Sequence, residues 1–525
     1  MKISRRSVLA ASAAAPVILK TGPASAASAS IQLHSRRHRG EIDKNIFGNF
    51  IEHLGRCITG GIFDEGSPLS DSRGFRKDVM SAVKDMAVPM LRWPGGNFSS
   101  NYEWRDGIGP RDKRPKRLEM AWGTVEDNRF GTHEFMDYVE AVGAEPYICL
   151  NLGTGSWADA QQWIEYVNGD QDTAVTRMRK QNGRDKPWGV KYWGLGNEMD
   201  GYWQMGHRSA SDYAAFALET AKLAKLTDPN VKLIAAGASN FRAGSDWIGW
   251  NRTVLEAVRD YADYISLHLY VGNAANDYAD FVASPLEMDQ KIDILAGLIA
   301  AAMSGRIDRV TGQPSRDGRK LYIALDEWNV WYRARGNGQR GRRILEEHYN
   351  LEDALVVAGF LNSLVNHADV VKIANLAQLV NVIAPIFTSD KGMFLQTIYY
   401  PLQLFSKNVK GKSLDLLVES PTYKSRRFDT VPYIDASASL EGNSLVVNVV
   451  NRHQDQPMDV VIGLEDKDFS GPVMVSEVNG PDIKAENDFG KSPVSARQSS
   501  INAGGRSLTH SFPAHSYTQL RATLA

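Results

Sequence analysis

The sequence predicts a (β/α)8 TIM barrel followed by a C-terminal all-β sandwich of jelly-roll-like form. Three observations lead there. Eight short apolar runs alternate with segments of helical period as far as about residue 400. Beyond Tyr400 that period gives way to short strands separated by turn residues. Two of the apolar runs, KYWGLGNEMDG (Lys191 to Gly201) and LYIALDEWN (Leu321 to Asn329), each deliver a glutamate, Glu198 and Glu327, where the strand would emerge.

Residues 1–26 read as a signal peptide rather than as fold. Ser4-Arg5-Arg6-Ser7-Val8-Leu9, the run Ala10 to Leu19 and Ala24-Ser25-Ala26 follow the order of a charged region, an apolar region and an A-x-A cleavage site. The paired arginines resemble a twin-arginine export signal, so the expected location is periplasmic or extracellular. No later segment reaches the roughly 18 uninterrupted apolar residues of a membrane span, and no anchor is expected.

Residues 27–45 are a strand segment expected to join the sandwich, since Ile31 to Ile42 is polar and strand-like. The barrel is expected over 46–400. Phe47 to His53 is its first strand. Asp71 to Met86 has a helical face of Phe75, Val79, Val83 and Met86. Val88 to Trp93 is the second strand and runs into Pro94-Gly95-Gly96-Asn97. Thr132 to Val142 is helical, Pro146 to Leu152 is the third strand, and the Glu198 run is the fourth. The helix Ser209 to Lys225 leads to strand five, Val231 to Ala236, and Trp247 to Tyr261 leads to strand six, Tyr264 to Tyr270. Ser284-Pro285-Leu286-Glu287 reads as a capping box opening a helix with Met288, Ile292, Leu295 and Ile299 on one face. The Glu327 run is strand seven, Glu346 to His367 is helical, and Val370 to Leu376 is strand eight. In the sandwich, 401–525, Leu445 to Val450, Met458 to Ile462, Val473 to Val478 and Ser511 to Leu520 read as strands.

Composition is that of a soluble globular protein, 43% hydrophobic and 23% charged. Lys+Arg 60 against Asp+Glu 61 leaves a net charge of −1, which offers no field for nucleic acid or an anionic membrane. The two cysteines, Cys57 and Cys149, read as small buried residues. No H-E-x-x-H, phosphate loop or clustered Cys/His spacing appears, so the sequence gives no support for a metal or nucleotide.

The C-terminal ends of barrel strands form the active site, and here they carry Glu52, Asn97, Asn197 with Glu198, His268 with Tyr270, Glu327 and Gln378. Two carboxylates in different environments can hydrolyse a glycosidic bond, one as proton donor and one as nucleophile. A separation of about 5–5.5 Å gives retention through a covalent intermediate. On the residues alone, Asn197 is placed to meet a sugar 2-hydroxyl and Tyr270 to hold the nucleophile. His268 reads either as a proton partner or as a structural histidine beneath the site. Asp326, next to Glu327 on a strand, is expected to point away from it and to be structural.

FIEHLGRCITGGIFDE, RWPGGNF, GNEMDG, DEWN and NLAQLVN, in this order and at barrel-consistent spacing, resemble the α-L-arabinofuranosidases of glycoside hydrolase family 51. The resemblance runs from about Ile46 to Gln378 and more loosely through PAHSYTQL. It implies that Glu198 is the acid/base, that Glu327 is the nucleophile, and that Glu52, Asn97, Asn197, Tyr270 and Gln378 bind the furanose. It also implies no cofactor, arabinose-containing polysaccharide or oligosaccharide substrates, and a homo-oligomer, often a hexamer. The catalytic pair does not choose the sugar, which leaves a β-xylosidase or endo-β-glucanase as alternatives and, in another class, a non-catalytic carbohydrate-binding protein. Trp93, Trp193, Trp203 and Trp328 are candidates for a sugar-stacking wall, about half of them expected in the core. The basic loops Tyr102 to Met120 and Arg333 to Arg343 flank the mouth, the second reading as a lid or surface loop rather than an RNA-binding segment.

Overall fold

A computed structural model describes residues 29–239, 245–308, 310–334 and 343–525. The signal-peptide reading and most of the second basic loop fall outside them. Eight parallel strands close a barrel: β1 (Gly48–Phe50), β2 (Met90–Trp93), β3 (Glu145–Cys149), β4 (Tyr192–Leu195), β5 (Lys232–Ala235), β6 (Tyr264–Val271), β7 (Tyr322–Val330) and β8 (Val371–Ala377). Closure is made by β8 on β1, with Asn375 opposite Gly48. Because the strands are buried on both faces they read as continuous apolar runs, which is why all eight are legible in the sequence. Met90, Tyr147, Tyr192, Ile234, Tyr264, Ala324 and Ile373 plug the interior below the site.

Helices depart from their expected bounds where side chains cap the backbone early. The first begins at Lys77, because Asp71 folds 71–76 into a turn by accepting from the Phe75 amide at 3.0 Å. The helix before β8 is Leu351–Asn366, capped reciprocally by Asn350 and Asp353. Two helices that apolar spacing does not reveal, Trp157–Asn168 and Ala174–Gln181, join β3 to β4. The expected capping box at Ser284 is absent. Ser284 is itself helical and makes no cap bond; its hydroxyl instead accepts from Arg427 at 2.8 Å, and Glu287 accepts from the same guanidinium at 2.8 Å. Helical structure also persists past Tyr400, through Tyr399–Asn408, whose Tyr399, Leu402 and Phe405 are buried.

Sheets of four and seven strands pack around Ile31, Leu33, Val447, Val449, Val460, Ile462 and Leu520. Ala29–Leu33 lies between Leu417–Glu419 and Met458–Leu464 in the smaller sheet, and His38–Glu41 pairs with Lys412–Leu414 in the larger. The expected last strand is two, Ser507–Phe512 in one sheet and Ser516–Leu524 in the other. Pro513 and the left-handed His515 (φ 41°) make the crossing. Both cysteines are free and buried.

Candidate active site

Strand ends converge on two carboxylates. Glu198 follows β4 in the left-handed region (φ 46°), directly after Gly196 (φ 83°) and Asn197, so the backbone swings its side chain over the barrel mouth. Its Oε1 meets His268 Nδ1 at 2.9 Å and its Oε2 accepts from Trp203 Nε1 at 3.0 Å. Glu327, near the end of β7, accepts from Arg92 Nη1 at 2.8 Å and from the Tyr270 hydroxyl at 3.0 Å. A carboxylate oxygen of Glu198, a ring nitrogen of His268 and a carboxylate oxygen of Glu327 all lie within 4.8 Å of one another.

Asp326 contradicts the expectation that it points away. Between Ser266 and His268 on β6 there is one residue, but between their partners Ala324 and Glu327 on β7 there are two; β8 shows the same slip. That bulge breaks the alternation, so Asp326 and Glu327 both face the interior. Asp326 Oδ1 lies 3.2 Å from His268 Nε2, and its Oδ2 accepts from the Tyr147 hydroxyl at 2.7 Å. His268 thus spans Glu198 and Asp326. Burial pulls its pKa down, but Glu327, Asp326 and Glu198 together hold it well above the usual histidine range. Burial, with the charge of Glu327 behind it, raises Glu198 despite its hydrogen bond to His268. Asp326 ends below the usual range because Arg92, His268 and Tyr147 outweigh its burial.

Arg92 is the hub that periodicity misses. From β2 it reaches Glu327 at 2.8 Å, the Asp326 carbonyl at 3.1 Å and Asn197 Oδ1 at 2.5 Å, and it stacks 4.5 Å from the centroid of the Phe50 ring. Its signal was present: an arginine within a buried strand is costly unless carboxylates face it. With Oδ1 engaged by Arg92, the buried Asn197 Nδ2 has no partner among the described residues.

On the opposite side, Glu52 accepts from the Phe98 amide at 2.9 Å, Trp122 Nε1 at 3.1 Å and Gln378 Nε2 at 3.0 Å. Gln378 Oε1 is buried without a partner among the described residues. Gly96 threads between the groups, where a Cβ would stand 2.9 Å from Glu327 Oε1. Asn97, next in chain, is half-buried, and its side chain is joined to none of these groups. Of the four candidate tryptophans, Trp93, Trp193 and Trp328 are core, and only Trp203 is exposed, at 39%. In the first basic loop, Arg105, Arg111, Arg114 and Arg117 are paired with carboxylates, Glu103, Glu65, Glu134 and Asp106 among them.

Burial pushes Glu52 up to about 7, with the Phe98 amide and Trp122 opposing and Glu327 adding to the shift. A carboxyl raised from 4.5 holds its proton more tightly when folded, so its favourable contribution is complete below about pH 4.5 and is lost as pH rises to about 7. The difference is on the order of 3 kcal/mol. Glu52→Gln is therefore expected to raise the thermal midpoint at pH 8 and leave it near wild type at pH 4, with the Gln378 amide turned so that its free oxygen accepts. Midpoints that differ equally at both pH values would contradict this.

Comparison with known proteins agrees with the geometry. The α-L-arabinofuranosidase 1 domain matches residues 82–284, and the α-L-arabinofuranosidase C-terminal domain matches 326–516. A probable α-L-arabinofuranosidase C of Aspergillus clavatus is 40% identical over 94% of this chain and 97% of its own. The intracellular exo-α-(1→5)-L-arabinofuranosidase 1 of Bacillus subtilis is 40% identical over 92% and 96%. The α-L-arabinofuranosidase of Thermotoga maritima, solved with arabinose, superposes with a TM-score of 0.85 at 39% identity, covering 94% of this chain and all of its own. A family 51 α-L-arabinofuranosidase of Bifidobacterium longum gives 0.87 at 31% identity, with 95% and 100% covered. The chain belongs to the α-L-arabinofuranosidases of glycoside hydrolase family 51.

Proposed function

We propose that this enzyme removes terminal non-reducing α-L-arabinofuranosyl residues from arabinan, arabinoxylan or their oligosaccharides, with retention. The observation that carries the reading is the pairing of Glu198 and Glu327 within 4.8 Å in unlike surroundings. Carboxylate oxygens that approach so closely favour the shorter of the two carboxyl spacings used by glycosidases, the one that serves double displacement.

Glu198, raised by burial and by Glu327, carries the proton to the glycosidic oxygen. Glu327, oriented by Arg92 and Tyr270, attacks the anomeric carbon and forms a glycosyl ester. Glu198, now a carboxylate, takes a proton from the incoming water, and the ester is hydrolysed. His268, hydrogen-bonded to Glu198, steadies that carboxylate between the two steps. Asn197 Nδ2, oriented by the Arg92 bond to its oxygen and without a partner among the described residues, is available to a 2-hydroxyl, and Glu52 with Gln378 offers acceptors to the remaining hydroxyls. No step calls for a metal or an organic cofactor.

The test is hydrolysis of 4-nitrophenyl α-L-arabinofuranoside beside the β-D-xylopyranoside and a β-glucan. Turnover of the arabinofuranoside foremost is expected; turnover of the xyloside or glucan alone overturns the sugar assignment.

Export is proposed from the Arg5-Arg6 and Ala24-Ser25-Ala26 signals, although the Bacillus subtilis relative is named intracellular. Protein from the periplasm or medium should begin near Ala27; a full-length chain confined to the cytoplasm would refute export.

A further inference from the structure

Directly beyond the catalytic acid, Tyr202 is 84% exposed. Its ring meets Trp203 edge to face, with 5.2 Å between centroids and 79° between planes. Trp203 is the residue whose indole N–H holds Glu198 at 3.0 Å. The loop that carries them is tied down on both sides. Asp200 accepts from the Ser239 amide and hydroxyl, each at 3.0 Å, and Gln204 donates to the Asn197 carbonyl at 2.7 Å. A Cβ at Gly201 would lie 2.5 Å from the Trp203 indole, so the ring lies against backbone that only glycine provides. Two contiguous aromatics, on a loop tied down at both ends and open to water, are a surface suited to an apolar ring face.

We propose that Tyr202 and Trp203 form the docking wall for the sugars of the leaving group, with Tyr202 the residue that favours a leaving group of more than one unit. The inference rests on the reading of Glu198 as proton donor. An acid that protonates the glycosidic oxygen must lie beside the departing group, so that group sits on the Glu198 side of the furanose. Trp203 holds this carboxyl, and Tyr202 is the next ring outward. The step between the two rings is close to the length that one sugar adds to a chain. Sugar rings present C–H faces that pack on aromatic faces, whereas a single-atom leaving group reaches neither ring.

The test compares α-1,5-arabinotriose with α-L-arabinofuranosyl fluoride in wild type, Tyr202→Ala and Tyr202→Phe. The ratio of the two kcat/KM values should fall about tenfold in Tyr202→Ala, mainly through KM for the triose, and return in Tyr202→Phe. A ratio that holds at the wild-type value in Tyr202→Ala overturns the proposal, as does a loss that Tyr202→Phe fails to restore. Wild-type enzyme that releases arabinose from neither compound overturns the two-glutamate reading beneath it and the wall with it. That outcome is distinct because it appears before any variant is made.

Discussion

Glu327→Ala is expected to lower kcat/KM on 4-nitrophenyl α-L-arabinofuranoside by about 10⁴-fold or more, the scale on which removing a covalent nucleophile acts. The loss should not be one of folding, because the other charges around Glu327 stay partnered: Arg92 keeps the Asp326 carboxylate at 3.7 Å with Asn197 and the Asp326 carbonyl, and His268 keeps Glu198 and Asp326. Azide is expected to enter the space left by the carboxylate and restore turnover, giving the β-configured arabinofuranosyl azide. An azide product of α configuration, or activity near wild type without azide, would remove Glu327 from the nucleophile's role.

Glu198→Ala should divide substrates by their need for a proton. With a natural sugar as leaving group, a loss of about 10²–10⁴-fold is expected; with 2,4-dinitrophenolate, which departs unprotonated, the first step should be nearly intact and deglycosylation should limit the rate. The pH profile carries the same signature. The first step needs the protonated acid, so the wild-type rate on oligosaccharide falls as pH rises through the raised value of Glu198. That alkaline fall should vanish in Glu198→Ala. Equal losses on both substrates, with the fall retained, would mean that another group supplies the proton.

Much of this was legible in the chain. The barrel strands announce themselves because a parallel strand covered on both faces must be apolar throughout, and the polar residues that end them mark the mouth. Glu198, Glu327, Tyr270 and Gln378 follow from position alone. What escaped depends on departures from regular geometry or on contacts distant in sequence. The direction of Asp326 turns on a single bulge residue in β7, which no alternation pattern encodes. Trp122 reaches Glu52 from a hairpin formed by Arg117–Glu119 and Thr124–Glu126, which straddles the end of the basic loop Tyr102 to Met120 and has strands too short to show a period. Arg92 could have been found, since an arginine between Leu91 and Trp93 in a buried run requires a carboxylate partner. The crossing at Pro513 and His515 was hidden because Ser511 to Leu520 keeps strand composition on both sides of the turn.

The central claim is that Glu327 and Glu198 act in two successive displacements, and the anomer released first tests it most directly. Hydrolysis of an α-L-arabinofuranoside followed by ¹H NMR from the first minutes, before mutarotation, should show the α anomer of arabinofuranose accumulating ahead of the β. If the β anomer appears first, a single water displacement is at work, and Glu327 is not the nucleophile.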